Sequence, residues 1–449
     1  MHKRLIYRIA LLVVIIMVTG MLFTGCGQKQ ANPGIPEPTK DENTEGINNE
    51  NGNSGEGQTG NAEESGKDSV NNGGTKTEEN GTEGSGTNQG SEEGDNAGTD
   101  SANGSNNNSS GSKKKDIEVK ALYLTGWTAG NKERLDHYIE LANTTEINSY
   151  VIDIKDDDGL VGYETNIAAV KEIGGWTKKY DVDYVINKLH ENNIHVIGRI
   201  VCFKDPYLSS KRPDLAIKDT RGGLWKEKNS DGKMITWLNP FNKESWPYLI
   251  EIAKEAVQKG FDEIQFDYVR FPSGDKTVMD FGTTDKKKYE AINEFLAYAR
   301  KEMPDVVLSA DIFGIVCEGQ GDNEDIGQYL ELIGKDIDYI SPMLYPSHYA
   351  LGQTVNGIKF PKPDLEPYAV VYNSLAKTKN RLSKVDKYSA DVRPYLQDFT
   401  ATWIGKGNYI EYGPEQVRQQ IKAVYDAGYK EWILWSARNK YSEDGLLKE

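Results

Sequence analysis

The sequence predicts an α/β fold in which eight parallel strands alternate with helices and close into a (β/α)8 barrel. Three observations carry this prediction. Eight strand-like runs recur between residues 119 and 437, with helical stripes between them. The run Phe261-Asp-Glu-Ile-Gln-Phe-Asp-Tyr-Val-Arg-Phe-Pro272 alternates, placing Ile264, Phe266 and Tyr268 on one face and Glu263, Gln265 and Asp267 on the other. A strand with one apolar face and one carboxylate-bearing face suits a barrel that packs outward on helices and encloses a lumen opening at an active site. Finally, no glycine-rich phosphate turn follows the first strand, which argues against a doubly wound open sheet.

Taken in order, residues 1–26 carry Lys3, Arg4 and Arg8, an apolar run from Ile9 to Phe23, and then Thr24-Gly25-Cys26. A basic start, a short apolar stretch and small residues are the pattern of a secretory signal. Phe-Thr-Gly-Cys resembles a bacterial lipoprotein box, with Phe23 where Leu is usual, which implies lipidation of Cys26 and a membrane anchor. An uncleaved signal anchor is the alternative. Residues 27–115 are almost wholly Gly, Asn, Ser, Thr and Glu, contain no aromatic residue, and hold nine of the sixteen net negative charges. Such a segment cannot bury enough apolar surface to offset its ordering entropy and reads as a disordered linker. The acidity is therefore mostly a property of the tail, and it argues against nucleic acid as a partner.

Residues 116–449 form one block of mixed composition. Its strand-like runs are 119–127, 149–154, 195–203, 261–271, 306–313, 337–345, 393–399 and 431–437. Val182, Val185, Ile186 and Leu189 make a helical stripe behind Asp181, a fitting N-cap. Pro414 opens another helix, with the stripe Val417, Ile421 and Val424, and Gly428 stands where a C′ residue belongs. Only about a dozen residues follow the last strand, so the eighth helix is expected to be vestigial. Cys202 and Cys317 fall in or beside apolar strands and read as inert core thiols.

The segments Gly260–Pro272, Trp237-Leu-Asn-Pro240, Asp338-Tyr-Ile-Ser-Pro-Met-Leu-Tyr-Pro346 and Arg393-Pro-Tyr-Leu-Gln-Asp-Phe399 resemble a bacterial glycoside hydrolase family of secreted (β/α)8-barrel proteins, distantly similar to the α-amylase group. The resemblance spans nearly all of the folded block. It implies a carbohydrate substrate and a glycosidase reaction, but brings no catalytic pair to carry over.

The residues themselves point to chemistry at the strand ends. Asp153 and Lys155 on the second strand, Arg199 on the third, Asp267 on the fourth, Asp311 on the fifth and Tyr345 on the sixth share the inward face near one mouth. Glycosidic cleavage needs one carboxylic acid to protonate the leaving oxygen and one carboxylate to attack or activate water. Asp267 and Asp311, on adjacent strands, are the first choice, with Arg199 neutralising Asp267 and a drier setting raising Asp311. Asp153, Asp157 and Glu318 are the reserve acids. A salt-bridged structural ring of Lys155, Arg199, Asp153, Asp267 and Asp311 is the competing account, as is a buried pair between Asp267 and Arg199 or Arg270.

Sugar platforms are sought among Trp127, Trp225, Trp237 and Trp435, with Tyr268 and His348 as further contacts. Metal-dependent hydrolysis fits less well, because His137, His190 and His195 are placed on helices or at the far end of a strand. The run Asp156-Asp157-Asp158 is the one place a hard cation would suit. No cofactor and no metal are expected. The alternative function is a non-catalytic carbohydrate- or cell-wall-binding barrel.

Overall fold

The computed structural model describes residues 117–229 and 232–448. The signal-like segment, Cys26 and the linker lie outside them. Eight strands form the barrel: β1 (Lys120–Leu124), β2 (Ser149–Lys155), β3 (His195–Val201), β4 (Glu263–Asp267), β5 (Val307–Phe313), β6 (Tyr339–Met343), β7 (Tyr395–Gln397) and β8 (Trp432–Trp435). Each pairs in parallel with its sequence neighbours, β8 pairs with β1, and the ring is closed. Seven crossover helices lie between them: α1 (Lys132–Thr144), α2 (Val182–Glu191), α3 (Trp246–Gln258), α4 (Lys288–Glu302), α5 (Leu330–Ile333), α6 (Pro367–Leu382) and α7 (Pro414–Asp426). Among the described residues after β8, the one helical element is a 3-10 turn, Glu443–Gly445.

Local chemistry sets these elements as the sequence implies. Asp181 caps α2 by accepting from the Tyr184 amide at 3.1 Å. Pro414 occupies the first turn of α7, and Val417, Ile421 and Val424 are fully buried. Each such burial stabilises by roughly 1.5–3 kcal/mol. Gly428 follows at φ +81°, a left-handed conformation that side chains with a Cβ rarely adopt. Along β4 the expected alternation holds: Ile264 and Phe266 join the large core between strands and helices, and Glu263, Gln265 and Asp267 point into the lumen. Lumen packing on the opposite wall is apolar and aromatic, through Val119, Ala121, Tyr123, Val151, Ile197, Ile433 and Trp435.

The lumen is filled by polar layers where many barrels carry branched aliphatics. At the floor, Arg393 donates to both oxygens of Glu263 at 2.8 and 3.0 Å and to Glu431 at 2.7 Å. Ser309 donates to Glu263 at 2.6 Å, and the guanidinium lies 3.8 Å from the Tyr339 ring centre. One layer up, Tyr395 donates to Gln265 at 2.6 Å and Gln265 reaches Ser341 at 3.3 Å. Arg199 and its carboxylates form the layer above. Removing one partner of a buried ion pair leaves the other uncompensated, so Arg393→Met is expected to cost about 3–5 kcal/mol in denaturant unfolding. A loss under about 1 kcal/mol would show that the floor layer is not what holds Glu263 and Glu431 in place.

Candidate active site

Asp267 is the last residue of β4, at the C-terminal end where barrels of this type hold their chemistry. The chain turns sharply after it. Tyr268 has φ +48°, a left-handed conformation that is strained for a bulky residue and concentrates at functional sites. The turn directs the Tyr268 amide back to Asp267 Oδ1 at 2.6 Å. Tyr268 packs against the same core as Ile264 and Phe266, the face expected for it. Its phenol accepts from Lys204 at 3.2 Å, and the Lys204 ammonium sits 4.5 Å from the ring centre.

The other Asp267 oxygen, Oδ2, accepts from Arg199 Nε at 2.8 Å and Nη2 at 2.6 Å. Arg199 Nη1 donates to Asp153 Oδ1 at 2.7 Å, and Asp157 approaches Nη2 at 3.6 Å. Tyr123 completes the chain by donating to Asp153 Oδ2 at 2.7 Å. Its ring stacks on Trp435 at 4.0 Å, and both rings lie within 5.6 Å of the guanidinium carbon. Burial pushes the Asp153 carboxyl up to about 6, with Arg199 working against that rise.

Asp311 is built differently. The register Gln265↔Ser309 and Phe266↔Ala310 makes Asp267 and Asp311 the next level on neighbouring strands. Asp311 is 2% exposed, and its Oδ1 has no hydrogen-bond partner. Burial first, and the negative charge of Asp267 second, hold its carboxyl well above the ordinary carboxylate range. Tyr345 is buried in the same lumen, where Asp311 and Asp267 add to the burial that raises its phenol.

The structure thus brings together Asp153, Arg199, Asp267, Tyr268, Asp311, Tyr345 and Trp435. Other expected residues lie elsewhere. Lys155 leaves the face of Asp153 at a bulge in the β2–β3 register, and its ammonium pairs with Asp205 at 2.9 Å and Val201 O at 2.7 Å, both ion partners fully buried. Trp127 lies past the end of β1 in a helical turn and is 62% exposed. Trp225 and Trp237 are buried in the core; Trp237 bonds Glu227 at 2.9 Å and meets Tyr268 edge-on. His348 packs against Tyr345 in the turn after β6. Glu318 is drawn aside by Lys377 at 2.9 Å. In the acidic run, Asp156 pairs with Lys179, Asp157 faces Arg199 and Lys204, and the Asp158 amide turns back onto Asp156. Cys202 and Cys317 are buried and unbridged. Tyr123 and Lys204 were not singled out from sequence; a Tyr on an apolar strand and a Lys opening a long loop carry no signal of their own.

Residues 121–441 match the family described as "Putative glycosyl hydrolase domain". The chain belongs to that family. A crystal structure of a hypothetical protein from Ruminiclostridium thermocellum is 66% identical, covering 42% of this chain and 96% of its own, with a TM-score of 0.40. The glycoside hydrolase domain of PgaB (BpsB) from Bordetella bronchiseptica is 14% identical, covering 71% and 94%, with a TM-score of 0.52. The spore cortex-lytic enzyme SleL from Bacillus cereus is 11% identical, covering 74% of each chain, with a TM-score of 0.43. No curated protein matches. The PgaB likeness bears on the fold, and family membership makes this a glycoside hydrolase-like domain.

The state of Asp311 has a measurable consequence. Its folded pKa lies above the ordinary 3.8, so the folded protein keeps a proton that the unfolded chain releases. The associated stability is complete below the unfolded pKa and is lost as pH rises through the folded one. Asp311→Asn cannot titrate, so its melting temperature minus that of wild type should increase from about pH 4 to about pH 8. A constant difference would contradict the buried, protonated carboxyl.

Proposed function

We propose that this domain hydrolyses glycosidic bonds of an oligo- or polysaccharide, with Asp311 as the acid and Asp267 as the carboxylate that meets the anomeric centre. The observation that supports this most is the inequality of two carboxyls at one level of the lumen. Asp267 has its charge matched by Arg199, and Asp311 is buried with an unbonded oxygen and favoured in its protonated form. A carboxyl that holds its proton beside a carboxylate paired with a cation can divide the acid and base roles between them. In the step, the Asp311 proton passes to the glycosidic oxygen as its bond to the anomeric carbon breaks. The Asp267 carboxylate faces the positive charge that develops there, either bonding to the carbon or drawing a proton from water. Arg199 and Tyr123 hold the arrangement in register through Asp153.

Asp267→Asn keeps size and loses charge. Turnover, read as reducing ends released from plant, host and cell-wall glycans, is expected to fall by at least about three orders of magnitude. A folded Asp267→Asn protein with wild-type turnover would remove the residue on which the mechanism rests. Wild-type protein that retains glycans without cleaving them would favour a binding barrel instead.

We also propose attachment to the outer face of the cell membrane through lipid on Cys26, with residues 27–115 as the tether. The basic start, the apolar run and Thr-Gly-Cys support this reading. Cys26→Ser should move the protein out of the membrane fraction or block its processing. Equal membrane retention of the mutant would point to an uncleaved signal anchor.

A further inference from the structure

A tryptophan left 41% exposed in a hydrogen-bonded turn is uncommon, since burying so large a ring is favourable. Trp403 is such a residue. It lies in the 3-10 turn Thr402–Ile404, just past the C-terminal end of β7. Its ring stacks on Phe399 at 5.9 Å and 22°, and the His348 ring meets it at 6.3 Å and 89°. From there the rings continue inward. His348 packs on Tyr345 at 5.1 Å, Tyr345 meets Phe399 at 5.7 Å, and Tyr345 belongs to the lumen cluster that holds Tyr395 and Trp435. A continuous aromatic path therefore runs from the layer of Asp267 and Asp311 to the surface.

The platform is fixed from below by one buried side chain. Gln397 Oε1 accepts from the Ser347 amide at 3.1 Å and the Ser347 hydroxyl at 2.8 Å, which ties down the turn carrying His348. Gln397 Nε2 donates to Phe399 O at 3.0 Å and to Asp364 at 3.1 Å. Asp364 in turn accepts from the Ile410 amide at 3.3 Å, closing the far side of the Trp403 loop. A ring held this way loses little freedom when a ligand covers it. Two strands round the barrel, Trp127 stands exposed in the loop after β1, and between them β8 sets Trp435 in the mouth with its indole N–H buried and unbonded.

We propose that Trp403, seated on Phe399 and His348, is a distal sugar platform, so that the site accepts a glycan chain laid across the mouth from Trp403 over Trp435 toward Trp127. This rests on the assignment of Asp267 and Asp311 above. The ligand chemistry is that of a pyranose, whose axial C–H face is apolar and flat while its hydroxyls remain at the rim. Such a unit matches an exposed aromatic ring next to a polar mouth. A chain bound on both sides of the cleavage point is cut internally.

The test uses the full chain carrying Asp267→Asn, so that bound glycans are not consumed. Affinities for soluble plant, host and cell-wall polysaccharides, and for their oligomers of about two to eight sugars, are compared with and without Trp403→Ala and Trp403→Phe. For oligomers of about five sugars or more, the alanine variant should bind at least about tenfold more weakly, with under about twofold change for disaccharides and substantial recovery in the phenylalanine variant. A loss equal at every length, or no loss, overturns the platform. A shift from dimer to monomer in sedimentation on Trp403→Ala, without a length-dependent loss, also overturns it and assigns the ring to a second copy of the chain. No glycan bound by the Asp267→Asn protein or cleaved by wild type would instead count against the underlying hydrolase reading, and the platform would fall with it.

Discussion

A guanidinium enclosed in a barrel lumen must be matched by carboxylates, because the attraction of an unpaired charge for lost water far exceeds the stability of a domain. Arg199 is 1% exposed and meets this constraint with Asp153, Asp267 and a more distant Asp157. Much of the upper lumen follows from it. Asp267 is oriented by two donors from one side, Asp153 is held between Arg199 and Tyr123, and the Tyr123–Trp435 stack forms an aromatic wall beside the guanidinium. The floor repeats the solution, with one Arg393 between Glu263 and Glu431. Neither layer is an economical route to stability, since well-packed aliphatics of similar volume commonly do as well or better. The floor is explained by satisfied pairing alone. The upper layer is not, because Asp311 stands beside it without a cation.

That asymmetry is what favours the proposed hydrolase reading over the purely structural ring. A stability network distributes its donors until each buried acceptor is satisfied. Here Arg199 spends its donors on Asp153 and Asp267, while Asp311 keeps an oxygen with no partner. A buried carboxyl in that position is stabilised by holding its proton, and a held proton is what a general acid delivers to a substrate oxygen. The left-handed Tyr268 adds local strain at the same strand end. Strain retained next to a charged pair is expected where geometry serves chemistry.

Much of this was legible in the sequence because period-two alternation fixes which face a residue occupies. Once Ile264 and Phe266 were assigned outward, Glu263, Gln265 and Asp267 had to face inward, and the structure places them there. The same rule misplaced Lys155, since it assumes unbroken register and a bulge intervenes after Asp153. Trp225 and Trp237 misled in another way. Both were sought as sugar platforms, but their segment forms a small hairpin, pairs with residues 279–280 and packs the two rings inward against Tyr268 and Gly274. The Asp153–Tyr123 contact depends on two strands 30 residues apart, and the His348–Trp403 contact on loops from separate strands. Side-chain contacts of that kind leave no local pattern to read.

The loops at the mouth bear on how a chain-like substrate would be handled. Mobile rim loops cost ordering entropy when they close on a ligand. On the β6–β7 side, the rim is already tied to the barrel wall through Gln397, which joins Ser347, Phe399 and Asp364 without itself reaching solvent. Across the mouth, Trp127 is backed by Lys179, which is anchored on Asp156 beside the Asp157 that faces Arg199. The β7 rim is thus aromatic and clasped by hydrogen bonds through the neutral Gln397 side chain, while the β1–β2 rim is charged and coupled to the acid cluster. A substrate stacking on the first rim would meet a surface that barely rearranges. One pressing on the second would act on the electrostatics of Asp153 and Arg199, and through them on Asp267.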